Sequence, residues 1–140
     1  MKKLFVTFFT TVISLFALTA FAADMLIQPN QLPQNSQQFI SKTFKNANIV
    51  AAKRDKDSFE AILNTGAKIE FNLNGEWNEI EAYAALPDGL LPVAVEKAAK
   101  SQGGQIIKID KDFGYFDVKL NNNLELKIDM NGNILKREID

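Results

Sequence analysis

Residues 59–77 read FEAILNTGAKIEFNLNGEW, and residues 116–134 read FDVKLNNNLELKIDMNGNI. Laid over one another at an offset of 57 with no gap, the two stretches share their apolar positions and their turns. Phe59 meets Phe116, Leu63 meets Leu120, Asn64 meets Asn121, and Asn74-Gly75 meets Asn131-Gly132. Ile69, Phe71 and Leu73 fall on Leu126, Ile128 and Met130, and Trp77 falls on Ile134. Upstream, Leu32-Pro33 matches Leu91-Pro92 at an offset of 59. A pattern written twice in this way indicates two tandem units of about 55 residues.

Each unit reads as a helix followed by four strands. Over residues 34–45, Phe39, Ile40 and Phe44 share a helical face behind Pro33. In the second unit Asp88 is the expected N-cap, Leu91, Val95, Ala98 and Ala99 face inward, and Gly103-Gly104 ends the helix. The expected strands are 49–54, 58–63, 67–73 and 77–81, then 105–110, 115–120, 124–130 and 134–138. Leu124, Leu126, Ile128 and Met130 alternate with Glu125, Lys127 and Asp129, the signature of an antiparallel sheet covered on one face. The expected fold class is therefore α+β: two tandem helix-plus-four-stranded antiparallel meander units, with the helices packed on one sheet face.

Register follows from the loops. A loop at residues 121–123 pairs Leu120 with Leu124, Val118 with Leu126 and Phe116 with Ile128 on the core face. The same register sets Lys119 opposite Glu125 and Asp117 opposite Lys127 on the open face, whereas a one-residue slip would bury all four charges. The first unit correspondingly pairs Leu63 with Ala67, Ala61 with Ile69 and Phe59 with Phe71. Its open face sets Ile62 against Lys68 and Glu60 against Glu70. On this reading the second unit's open face is matched in charge and the first unit's is not.

The chain begins MKKLFVTFFTTVISLFALTAFAAD. Lys2 and Lys3, an uncharged apolar run from Leu4 to Leu18, and Ala20-Phe21-Ala22 occur in the order of a cleavable export signal. The domain reading is a signal peptide at 1–22, a first repeat at 23–84 and a second at 85–140, the repeats forming one cooperative domain. Without Lys2 and Lys3 the chain holds 14 basic and 17 acidic side chains, a net of −3. That balance disfavours phosphate-backbone binding, so no nucleic acid is expected as partner. The 140 residues contain no His and no Cys, which excludes His-dependent nucleophile pairs, disulfides and zinc sites of the usual ligand sets.

The motifs LPQNSQQFI, FEAILNTGAKIEFNLNGEW, LPDGLLPVAVEKA and YFDVKLNNNLELKIDMNGN resemble the PepSY-like exported bacterial proteins, from Leu32 to Ile139. The tandem helix-plus-four-strand architecture implied by this resemblance is similar to that of β-lactamase-inhibitor protein. It implies export to the periplasm and assigns no activity. The chain lacks the inhibitor's cysteines, so none of its contacts transfer residue by residue.

No catalytic residue, metal ligand or cofactor is expected. The stretch Asp129–Asn133 has a calcium-loop look, but Ile134 stands where an EF-hand requires Gly, and a hairpin turn explains Asn131-Gly132. Trp77 falls on the open face if Asn74-Gly75 is a two-residue turn, and in the core if the loop has three residues and a bulge. The expected partner-binding surface comprises Ile62, Lys68 and Glu70, with Trp77 in its open-face position, and outward-facing Tyr115. The functional expectation is an exported periplasmic binding or inhibitory module that engages a periplasmic or envelope protein through its open sheet face. The alternative is a small-ligand or peptide-binding protein using the cleft between repeats. An enzyme is not expected. The intact mass of native protein should correspond to a chain beginning at Ala23, and retention of Met1 would overturn the export-signal reading.

Overall fold

The alternation seen in the sequence forms strands whose registers meet on a single line. The computed structural model describes residues 24–140. The signal-peptide reading therefore lies outside the described residues. Among the described residues there are nine strands: β1 Asp24–Ile27, β2 Ile49–Asp55, β3 Ser58–Leu63, β4 Lys68–Asn72, β5 Trp77–Glu81, β6 Ile106–Lys111, β7 Tyr115–Leu120, β8 Leu124–Asp129 and β9 Ile134–Ile139. They pair in chain order, every pair antiparallel. Helix α1, Gln34–Thr43, lies between β1 and β2, and α2, Val93–Lys100, lies between β5 and β6.

The expected fold class needs correction. Instead of two helix-plus-four-strand units, the described residues form one nine-stranded sheet with two helices, and they are mainly sheet. Two four-stranded meanders would leave β5 and β6 as bare edges, with unpaired N–H and C=O groups. The two strands pair with each other instead, Ile80 against Ile109 and Glu81 against Lys108. The ninth strand, β1, is only four residues long and carries the exposed Met25 and Leu26, so it offers no alternation to read.

Both inner hairpins have the expected registers. Phe59, Ala61 and Ile62 face Phe71, Ile69 and Lys68, and Phe116, Val118 and Lys119 face Ile128, Leu126 and Glu125. Across the sheet these registers align Ile27, Ala52, Ala61, Ile69, Ile80, Ile109, Val118 and Leu126 on one line. From Ala52 to Leu126 every member is at most 1% exposed. Each larger aliphatic chain on this line stabilises the fold by roughly 1.5–3 kcal/mol. Ile40 of α1 and Val95 and Ala99 of α2 belong to the same core, which lies on the helix side of the sheet.

Each helix start rests on an Asn-Gly turn. Pro33 and Pro92, both extended, precede the first helical residues. Asp88 is therefore not the N-cap of α2, and its carboxylate pairs with Lys100 at the far end of that helix. Ser36, fully buried, donates its hydroxyl to the Gly75 carbonyl at 2.8 Å, and the Asn35 side-chain amide donates to the Asn74 carbonyl at 2.9 Å. In the other half, Gly132 approaches the start of α2 so closely that a Cβ would lie 2.6 Å from the Ala94 carbonyl oxygen. Gly132 has φ +87°, whereas Gly114 has φ +79° with nothing within 4 Å of a Cβ. Both positions penalise a side chain through φ, by about 1–2 kcal/mol, but only Gly132 adds a clash with backbone. In urea denaturation, Gly132→Ala should cost at least about 1 kcal/mol more than Gly114→Ala; equal costs would show that this contact is slack.

Candidate interaction surface

The face opposite the helices is open, and the apolar line dictates what stands on it. Side chains alternate along a strand, so each residue next to that line projects from the other face. Those neighbours are Lys53, Glu60, Glu70, Glu79, Asp110, Asp117, Lys127 and Lys136, and they face each other in that order from β2 to β9. Five carboxylates thus form an unbroken row across β3 to β7, with lysines at both ends. At about 4.8 Å per strand the row is roughly 20 Å long.

Water does not fully relieve the repulsion. Partial burial, then Glu79 and Glu60 on either side, raise the Glu70 pKa above the usual carboxylate range. Burial and Glu79 push Asp110 up to about 6, with Asp117 adding to the shift and Lys108 opposing it. Lys108 stands at the centre of the opposing charge. Its ammonium lies 3.4 Å from Glu79, 3.5 Å from Glu81 and 3.9 Å from Asp110. Burial works against that ammonium, but the three carboxylates outweigh it and raise its pKa. Lys53 reaches Glu60 at 3.9 Å at the near end of the row. A shallow groove of about 380 Å³ runs over the far end, lined by Lys108, Asp110, Asp117, Lys119, Glu125 and Lys127 among others.

The residues singled out from the sequence divide among different places. Ile62 and Lys68 are direct cross-strand neighbours on the open face, and Glu70 lies two residues along from Lys68 within the acidic row. Tyr115 also projects from this face but stands on β7, three strands from Glu70, opposite Asp129. Its hydroxyl donates to Asp112 at 2.8 Å and the Lys127 ammonium sits 4.3 Å from its ring centre. Trp77 is not part of this surface. A bulge at Asn78 pairs Trp77 with Phe71, and the indole is 9% exposed on the helix side. There it stacks on Phe39 at 6.2 Å and lies 3.7 Å beneath the Lys111 ammonium. The Asn72 carboxamide sets this outcome by accepting from the N–H groups of Asn74 and Glu76, which holds a three-residue loop.

One expectation fails on this face. The second half is not uniformly matched in charge, because Asp110 faces Asp117, Lys108 faces Lys119, Glu125 faces Glu138 and Lys127 faces Lys136. Sequence reasoning also missed Glu79, Asp110 and Asp117 as members of one row. Asp129 behaves as the hairpin reading requires. One carboxylate oxygen accepts from the N–H groups of Asn131 and Asn133, both at 2.9 Å, and the other accepts from the Asn133 carboxamide at 2.9 Å. The cleft between the halves holds about 400 Å³, bounded by Phe39, Lys42, Lys45, Trp77, Asp88 and Leu90 among others.

The acidic row gives stability a definite pH dependence. A carboxyl whose pKa rises on folding binds its proton more tightly when folded, so it contributes stability that is complete below its ordinary 3.8 and is lost as pH rises through about 6. Asp110→Asn should therefore raise Tm at pH 7 and leave it nearly unchanged at pH 4. A difference in Tm between variant and wild type that stays constant over this range would disprove the assignment.

Comparison with known proteins agrees with this architecture. The family model described as "Putative beta-lactamase-inhibitor-like, PepSY-like" matches residues 57–136. A solved "putative periplasmic protein" from Bacteroides vulgatus is 35% identical over 82% of this chain and 96% of its own, with a TM-score of 0.74. A "putative calcium-regulated periplasmic protein" from Bacteroides thetaiotaomicron is 33% identical over the same shares, 82% and 96%, with a TM-score of 0.76. A second "putative periplasmic protein" from Bacteroides vulgatus is 30% identical over 83% of this chain and 99% of its own, with a TM-score of 0.76. No curated protein matches the chain. Among the described residues no helix is long and apolar enough to cross a membrane. On the family match and these three relatives, the chain belongs to the PepSY-like, β-lactamase-inhibitor-like family.

Proposed function

We propose that the protein is a periplasmic binding module whose open sheet face docks a protein partner presenting Lys and Arg side chains. The observation that carries this reading is the row of five carboxylates, Glu60, Glu70, Glu79, Asp110 and Asp117, directly opposed across five adjacent strands. Adjacent carboxylates on a half-buried surface repel one another, and cations from a partner would relieve that repulsion without any rearrangement of the sheet. Charge of one sign concentrated along a face also steers encounter with a basic partner. The periplasmic location is drawn from the three solved relatives, each described as periplasmic, together with the export signal read at residues 1–22. An inhibitory form of the function requires the docked partner to be an enzyme whose substrate access the sheet face blocks.

Calcium regulation, in the description of one relative, is not part of this proposal. Both Asp129 oxygens already accept hydrogen bonds, and among the described residues no group of three or more acidic side chains converges as a metal cage. The carboxylates stand in a line, which suits an extended set of cations better than a single ion.

The test is affinity capture from a periplasmic extract, comparing wild type with a Glu60→Gln, Glu79→Gln, Asp117→Asn triple variant. One basic protein should be retained by wild type at low salt, released at about 0.5 M salt, and lost from the variant. Retention of the same protein by both forms, insensitive to salt, would exclude the acidic row as the docking surface.

A further inference from the structure

We propose that β9 is a self-docking edge, through which two copies of the chain join β9 to β9, antiparallel, about a two-fold axis at Arg137. All six residues from Ile134 to Ile139 are exposed, with Leu135 at 57% and Ile139 at 76%. The helix of this half, α2, packs over β8 and leaves the last strand uncovered. An uncovered edge of six residues is a template for another strand, and its side chains determine which strand fits.

Hydrogen-bond parity limits the choices. Asp140 donates its N–H to the Asn123 carbonyl at 2.8 Å, so the N–H groups of Asp140 and Glu138 turn toward β8 while those of Ile139 and Arg137 turn outward. In an antiparallel seam, outward groups must meet outward groups. Arg137 can therefore face the partner's Leu135, Arg137 or Ile139. The first register sets Lys136 against the partner's Lys136. The third sets Glu138 against the partner's Glu138. Only the middle register, with Arg137 on the axis, sets Lys136 against the partner's Glu138, and symmetry makes that pair twice. It also places Ile139 level with the partner's Leu135 at each end of the seam.

Within one copy these charges lack a partner on the neighbouring strand, because Lys136 faces Lys127 and Glu138 faces Glu125 across β8–β9. Lys136 turns to Glu138 of its own strand at 2.9 Å, an exposed pair that can exchange for the same contacts across the seam. The two Arg137 side chains meet on the other face, where the Arg137 Nε donates to the Gln102 carboxamide oxygen at 3.1 Å and draws the guanidinium toward α2. A two-fold seam closes on itself, so it uses up the edge without starting a fibre. It also leaves both open faces on the same side of one continuous sheet, which would offer a docked partner two acidic rows. The dimer itself does not depend on that docking role.

Six residues per copy make a small interface, so the expected dissociation constant is on the order of 100 µM. The test is sedimentation equilibrium of the purified protein up to about 1 mM, with a circular dichroism melt to show that each variant is folded. Lys136→Glu and Glu138→Lys, separately, should each weaken association about fivefold or more by turning both pairs into like charges. The double variant, which restores both pairs with signs exchanged, should return to within about twofold of wild type. Arg137→Pro removes only an outward N–H, so it should leave the monomer folded and abolish the dimer. A wild type that stays monomeric throughout, a double variant as weak as the single ones, or a dimer that survives Arg137→Pro would each overturn the proposal.

Discussion

Ile80 and Ile109 face each other across the middle of the sheet, at most 1% exposed, and the rest of the architecture depends on that contact. Neither half supplies both sides of it. The seam between β5 and β6 has only three paired positions, yet it continues the apolar line of the first half into that of the second. A slip of one residue would put Glu79 or Asp110 into the core, so burial of two isoleucines holds the register of nine strands.

The same constraint creates the acidic row. Once the apolar line is continuous, the residue beside each of its members must project from the open face at the same level. Five of those neighbours happen to be carboxylates, and the sheet cannot separate them without losing its core. The molecule tolerates this through partial hydration, through the Lys108 ammonium among Glu79, Glu81 and Asp110, and through the raised pKa values of Glu70 and Asp110. Like charges are set against one another on the open face while the other face packs apolar side chains, and such a local conflict is common where a surface has work other than stability.

The helix side shows the opposite economy. Ser36 is hydrogen-bonded to Gly75, Gly132 lies against Ala94, and Trp77 is enclosed by Phe39 and Lys111. These contacts tie each helix to the turn that ends the second strand of the following hairpin. They leave the cleft between the halves bounded in part by residues already engaged with one another, whereas the open face keeps its charges available.

Local chemistry made much of this legible. Strict alternation with short polar loops specified both inner hairpins, down to the cross-strand partners of Ile62, Lys68, Glu70, Lys119 and Asp117, because a wrong register would bury charge. The Leu-Pro motifs marked where the helices begin. Trp77 stood between two positions, since the choice rested on whether Asn72 holds a two- or a three-residue loop. What the sequence could not carry was the relation between elements far apart in the chain. The bulges at Val50, Asn78, Ile107 and Leu135 shift the register without any residue pattern that announces them, and the pairing of β5 with β6 spans a helix and its loops. Periodicity thus determined which face of each strand is buried, because alternation is a property of the strand itself. Tertiary structure alone decided that the two halves share one sheet and that five carboxylates stand in line across it, because both follow from closing exposed strand edges over a common core.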